Sequence, residues 1–229
     1  MIVTEQSGGK SIDYLYHSVG TVVYKIDLAN GKIIASFDFG LGPAEHITAV
    51  SYTGQPGWIA VSWRHNYNLV SLFLLNVETK ETRGGLLPQP VFSCQAPITH
   101  SYTSFYGELV FDTILSCTSS KDSNTTTVAI FETVKPFSGE LRKPELKWEG
   151  NEIGESTVMA SLNEDRSRVL VLNSEGYAVY NVKTNERSAV SSTVTSACKV
   201  GVTAANGRLY ALCPMSSESS KKVVSIRVE

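Results

Sequence analysis

Short runs of apolar and β-branched residues alternate with polar, turn-forming stretches along the whole chain. Val, Ile, Thr, Tyr and Phe concentrate in those runs, a composition suited to a pleated, half-buried surface. Between the runs lie Gly8-Gly9, Asn30-Gly31, Gly54-Gln55-Pro56-Gly57, Gly84-Gly85, Gly107 and Asn206-Gly207. Such residues supply the positive φ angles that tight turns require. No apolar period of a helical kind persists, so the pattern predicts strands throughout and negligible helix.

The strand pattern repeats. Five segments match in kind: Val-Val-Tyr-Lys-Ile-Asp (22–27), Phe-Leu-Leu-Asn-Val-Glu (73–78), Ala-Ile-Phe-Glu-Thr-Val (129–134), Ala-Val-Tyr-Asn-Val-Lys (178–183) and Val-Ser-Ile-Arg-Val-Glu (224–229). With Lys25, Asn76, Glu132, Asn181 and Arg227 as equivalents, the steps are 51, 56, 49 and 46 residues. A period near 50 built only from strands predicts an all-β fold, a β-propeller of about five mostly four-stranded antiparallel blades. The blades fall near 1–42, 43–92, 93–148, 149–194 and 195–229, in one domain without an internal linker. The fourth repeat predicts strands at 156–162, 168–172, 177–182 and 187–194. The last repeat stops at its third strand, which leaves an edge to be filled. Met1–Glu5 is a candidate to fill it, which would leave the first blade without an inner strand; the alternative is that the chain is part of a larger propeller.

The segment Val-Tyr-Lys-Ile-Asp-Leu-Ala-Asn-Gly-Lys (23–32) resembles the repeat of quinoprotein-like and WD40-like β-propellers. That resemblance implies the fold. No repeat ends in Trp-Asp, no Trp follows Gly31-Lys32, and there is no vicinal Cys pair, so no cofactor is implied.

Composition narrows the picture. The chain has 229 residues, 42% hydrophobic and 18% charged, with a formal net charge of −2. That supports a packed core and no phosphate-tracking, nucleic-acid-binding surface. No apolar run reaches the ~18 residues of a spanning helix, and the first residues do not read as a signal peptide.

Cys117 and Cys213 lie 15 and 14 residues before their repeat anchors, and Cys94 and Cys198 precede them across predicted hairpins. Two disulfides, Cys94–Cys117 and Cys198–Cys213, are therefore candidates. Two-residue turns at Tyr106-Gly107 and Asn206-Gly207 would leave each pair two residues from direct opposition, closable diagonally or through a bulge. Asn124-Thr125-Thr126 is a glycosylation sequon. Paired cysteines and a used sequon point to a luminal or extracellular home; buried thiols and an unused sequon point to the cytosol.

Catalytic signatures are weak. His17, His46, His65 and His100 lack metal-ligand spacing. No Gly-x-Ser-x-Gly elbow occurs, and Gly84-Gly85 is not followed by Lys-Ser/Thr. Asp13, Glu45, Asp112 and Glu155 are the acids placed to act as a glycosidase pair. No catalytic residue, metal or cofactor is assigned.

A partner-binding face is the better expectation. Trp63-Arg64-His65-Asn66-Tyr67-Asn68 reads as the turn between the second and third strands of blade two. Trp, Tyr and Arg are the residue types enriched in binding hot spots. Phe39 to His46, with Glu45, and Gly84 to Ser93, with Leu86, Leu87 and Phe92, are expected on the same face. The competing reading places Trp63 between blades, as expected for Trp58 and Trp148. The function expected is non-catalytic protein–protein interaction, within a complex. Alternatives are a sugar-binding propeller that stacks on Trp63 or Tyr67, and a glycoside hydrolase. No aromatic matches Trp63 at His17, Cys117, Leu172 or Cys213, which counts against repeated sugar sites.

Overall fold

A computed structural model describes the chain apart from residues 43–44, 66–68, 89–90, 95–96, 120–124, 135–143, 154–158, 163–164, 174–175, 189–199, 205–207, 215–220 and 228–229. For residues 7, 91–93, 118–119, 125, 151–153, 159–162, 172–173, 176, 200–204, 208–214 and 221–227 it describes the backbone only.

The described residues are strands and turns, grouped into five successive sheets. The first is β1 (Ile2–Ser7), β2 (Lys10–Val19), β3 (Val22–Asp27) and β4 (Ile33–Asp38), paired in chain order. The second is β5 (His46–Tyr52), β6 (Trp58–Arg64), β7 (Val70–Asn76) and β8 (Thr82–Leu86). In the third, β10 (Ile98–Thr103), β11 (Leu109–Ser119), β12 (Thr125–Thr133) and β13 (Glu145–Ile153) follow in order, and β9 (Val91–Cys94) pairs with β11. The fourth contains β14 (Met159–Leu162), β15 (Arg168–Asn173) and β16 (Gly176–Asn181), with an isolated bridge from Tyr180 to Arg187 where a fourth strand is expected. The fifth contains β17 (Val200–Ala204), β18 (Arg208–Pro214) and β19 (Lys221–Arg227). Five up-and-down sheets at the expected period are the blades of an all-β propeller. By contact, the chain divides into two compact units, Met1–Thr113 with Phe131–Leu146, and Ile114–Ile130 with Lys147–Glu229.

In the first unit, the second sheet is buried on both faces. Ile59, Val61 and Trp63 of β6 pack with Val3, Tyr16, Val23 and Phe37 of the first sheet. Trp58, on the opposite face of β6, tilts against Phe111 of β11 with ring centroids 5.1 Å apart. Arg83 lies over the same indole at 4.6 Å. Burial on both faces explains why Trp-Ile-Ala-Val-Ser-Trp reads as a continuous run rather than an alternation. In the second unit, Trp148 meets Tyr180 at 5.3 Å, and its Nε1 donates to Asn185 Oδ1 at 3.0 Å. Both Trp58 and Trp148 thus pack between neighbouring blades, as their positions suggest.

Three blades share one turn, and it corrects the repeat register. Asp27, Asn76 and Asn181 each end the third strand and cap the following turn with the side-chain oxygen. Each also accepts a backbone hydrogen bond from the residue four positions on, Gly31, Lys80 or Asn185. Those three residues all have positive φ, at 70°, 61° and 57°. The equivalent of Asn76 in the first blade is therefore Asp27, not Lys25. The sequence match slipped by two residues, which preserves strand alternation and so leaves no trace in the apolar pattern.

Other expectations change as well. Met1–Glu5 does not fill the last blade's edge: β1 pairs with β2 inside the first sheet, Ile2 opposite Leu15. Gly84-Gly85 is not a turn but part of β8, facing Phe73 and Leu72. Gly84 has φ +113°, and a Cβ there would sit 2.2 Å from the Leu72 carbonyl oxygen, so no larger residue fits. The third-blade hairpin turns through Ser104–Glu108 rather than two residues, closed by Ser104 N–H to the Glu108 carbonyl at 2.8 Å. In the fifth sheet Ala204 pairs with Arg208, leaving three residues between them.

Cys94 and Cys117 form a disulfide that joins β9 to its partner strand. For the second candidate pair, Cys198 lies outside the described residues, and Cys213 is described by its backbone only, opposite Lys222. Asn124 of the sequon also lies outside them. Among the described residues, no helix is long and apolar enough to cross a membrane.

Candidate functional site

The segment that held most of the sequence interest folds differently from a simple turn. β6 continues through Trp63 and Arg64, with Trp63 opposite Ser71 and Arg64 opposite Val70. The connection begins only at His65, whose N–H donates to the Leu69 carbonyl at 2.8 Å. Side-chain alternation then sends Trp63 inward and Arg64 outward.

Trp63 is 6% exposed. Its ring stacks on Phe73 of β7, with centroids 4.2 Å apart and planes at 5°, and tilts against Phe39 at 5.3 Å. The expectation of Trp63 as an exposed anchor is corrected: the packing reading holds, because a strand two residues longer than expected places the indole on the core face.

Trp63 nevertheless organises the polar part of the site. Its Nε1 donates to His65 Nε2 at 3.0 Å, and Ser71 Oγ lies 2.7 Å from the same nitrogen. An indole N–H only donates, so Nε2 accepts and a neutral His65 carries its proton on Nδ1. Nδ1 is hydrogen-bonded to Glu45 Oε1 across 20 residues of sequence. The other carboxylate oxygen accepts the Gly42 N–H at 2.9 Å. That backbone hydrogen bond first, and the His65 hydrogen bond second, hold the Glu45 carboxyl below the ordinary carboxylate range. One imidazole therefore fastens the connection between β4 and β5 to the connection between β6 and β7.

Carboxylate, imidazole and serine are arranged here in the order that activates a nucleophilic hydroxyl. Ser71, however, is 2% exposed in the middle of β7, and the Nε2 lone pair is shared with the Trp63 indole. The hydroxyl has no open side for a substrate carbon, and the array serves as a latch.

The remaining expected residues divide by exposure. Arg64 and His46 are exposed and directly opposite each other on paired strands. Phe39, Glu45, His65 and Leu86 are half-buried. Leu87 is 3% exposed and belongs to the core, since its N–H pairs with the Val70 carbonyl and turns the side chain inward. Tyr67 lies outside the described residues, and Phe92 is described by its backbone only. Gly84 to Ser93 is not one loop but β8, a short connection and the start of β9. Of the candidate glycosidase acids, Asp13 accepts a hydrogen bond from Thr4 Oγ1 at 2.6 Å and Asp112 is buried. Glu155 lies outside the described residues. Among the described residues, no group of three or more His, Cys, Asp or Glu is placed to hold a metal.

Sequence reasoning missed two exposed aromatics. Phe105 and Tyr106, at 99% and 87% exposure, occupy the tip of the β10–β11 hairpin. Their signal was legible, because aromatics rarely occupy turn positions that small polar residues fill without cost.

No family model and no curated protein matches the chain. Among solved structures it is similar to Kluyvelomyces marxianus Hsv2, at 12% identity and a TM-score of 0.40, over 89% of this chain and 72% of that one. It is also similar to the dihydro-heme d1 dehydrogenase NirN, at 10% identity and a TM-score of 0.35, over 87% of this chain and 48% of that one. A Bacteroides caccae protein of unknown function gives 10% identity and a TM-score of 0.34, over 86% and 81%. Likeness at this level defines no family, and the fold rests on the sheets themselves.

Proposed function

We propose that the chain is a non-catalytic protein–protein interaction module that docks through the loop end of its second blade. The observation that carries this reading is the Glu45–His65–Ser71–Trp63 latch. It consumes the reactive groups of the site internally and fastens two connections into one pre-ordered patch. Pre-ordering lowers the entropic cost of association. Arg64 and His46 stand exposed on paired strands at that end of the blade. Arg is enriched among interface hot spots. The sugar-binding alternative loses one of its two candidate stacking rings, Trp63, to the core, and the other, Tyr67, lies outside the described residues. The hydrolase alternative needs a carboxyl open to a glycosidic bond, whereas Glu45 is held by His65 and Gly42. The Cys94–Cys117 disulfide supports an oxidising, luminal or extracellular compartment.

Co-purification from the native source tests the reading. The Arg64→Glu, His46→Glu double variant is expected to lose a partner that the parent chain recovers, while melting normally. The control is Phe105→Ser with Tyr106→Ser, which is expected to keep it. Loss with the hairpin variant alone moves the docking surface to that tip.

A further inference from the structure

Phe105 and Tyr106 are 99% and 87% exposed at the tip of the β10–β11 hairpin, and the turn that carries them is closed from inside. Ser104 N–H donates to the Glu108 carbonyl at 2.8 Å, and Gly107 N–H to the Ser104 carbonyl at 2.9 Å. Glu108 N–H donates to Ser104 Oγ at 3.1 Å. Gly107, at φ +79°, supplies the left-handed residue that completes a three-residue hairpin loop. The two rings meet edge to face with centroids 5.6 Å apart. Exposure this complete leaves them no packing role in the fold, and small polar residues would close the same turn.

Size and charge select the kind of partner. Two aromatic side chains bury about 300–500 Å² together, well short of the ~1,000 Å² of a specific protein interface. A convex tip of that size suits a soft medium that closes around it. The interfacial layer of a lipid surface is such a medium, and rings with an apolar body and a polar end collect there. The N–H groups of Ser104, Gly107 and Glu108 are already paired within the turn, which lowers the cost of leaving water. Glu108 is the one charged residue among 104–108, and no Lys or Arg occurs between Arg83 and Lys121. The hairpin therefore lacks the basic side chains that anionic lipids attract.

We infer that the β10–β11 tip inserts Phe105 and Tyr106 into the interfacial layer of a zwitterionic, phosphatidylcholine-type lipid surface. The inference is independent of the docking surface proposed above. It agrees with the Cys94–Cys117 disulfide of the same blade, since anionic lipids face the cytosol and disulfides persist in oxidising compartments. Two rings without a basic patch give weak, reversible association, as a single acyl chain does.

Flotation of the full chain with phosphatidylcholine vesicles, carried to millimolar lipid, tests this. The parent chain is expected to float with them, and no more strongly when phosphatidylserine is mixed in. Phe105→Ser with Tyr106→Ser is expected to lower partitioning about tenfold or more, as for the loss of a buried ring. Ile33→Ser with Ile34→Ser, at positions 60% and 53% exposed on β4, is expected to leave it unchanged. Phe105→Trp adds a direct readout: the new indole's emission should shift to the blue and be quenched by phosphatidylcholine brominated on its acyl chains. Should the Ser variant melt early, that reporter decides. A parent that does not float, a reporter that bromine does not quench, or an equal loss in the Ile variant overturns the inference. Stronger flotation with phosphatidylserine overturns it too. So does a hairpin variant that loses a protein partner when the parent binds no vesicle, which makes the tip a protein anchor.

Discussion

The second and fourth blades start from the same architecture and spend their polar side chains differently. In the second blade Glu45, His65, Ser71 and Trp63 satisfy one another, and Arg64 and His46 are among the described residues left facing outward. In the fourth blade Ser188 Oγ and Asn181 Oδ1 instead accept backbone N–H groups, so these side chains hold their own strand and turn. The difference shows that binding capacity in a repeated fold is what remains after internal pairing.

The comparison can be broken first at Trp63. If its ring is core, Trp63→Ala removes the Phe73 and Phe39 contacts and costs about 3–5 kcal/mol. Denaturant unfolding reads this directly. An unchanged midpoint would return the indole to the surface. A smaller effect is expected from His65→Phe, which deprives the Trp63 N–H and Ser71 hydroxyl of their shared acceptor. Its cost is about 1–3 kcal/mol. Hydrogen exchange should also rise at Gly42, whose N–H depends on a Glu45 carboxylate that His65 holds. Exchange unchanged there would mean that the loop is held without the latch.

The shared turn offers a finer test across the two blades. Asn76→Ala and Asn181→Ala remove the same pair of side-chain-to-backbone hydrogen bonds. Each should cost about 1 kcal/mol, as for a lost cap, and the two effects should be equal and additive. Unequal losses would show that the turns are equivalent in geometry but not in energy.

Acid and alkali produce the smallest effects. Because Glu45 is held below its ordinary range, its contribution is present above the unfolded carboxyl's pKa of ~4.3 and is lost as pH falls through the lower folded value. Glu45→Gln should flatten that acid limb. Tyr16 behaves in the opposite sense. Burial first, then its hydrogen bond to Glu5, push the phenol far up. Its contribution is complete below ~10 and declines as pH rises beyond it. Tyr16→Phe should remove that alkaline slope from a series of melting curves.

Much of the architecture is readable from residues alone. A strand needs only a local pattern, and a turn only a residue that tolerates its φ or caps its amides. Strands, blade period and the equivalence of Asn76 and Asn181 were therefore legible. Cys94 and Cys117 were also legible as a pair, because they bracket a predicted hairpin as Cys198 and Cys213 do. Other features were not. The two-residue slip at Asp27 is invisible to a pattern of period two. The end of β6 is hidden because a strand buried on both faces has no alternation to lose. Glu45, His65 and Ser71 become one cluster only when β5, β6 and β7 pair, since their separations of 20 and 6 residues follow no motif. Local propensity and periodicity determine elements. Which polar groups find partners depends on which strands and connections the tertiary structure brings within hydrogen-bond reach, and that pairing decided where the chain has chemistry left to offer.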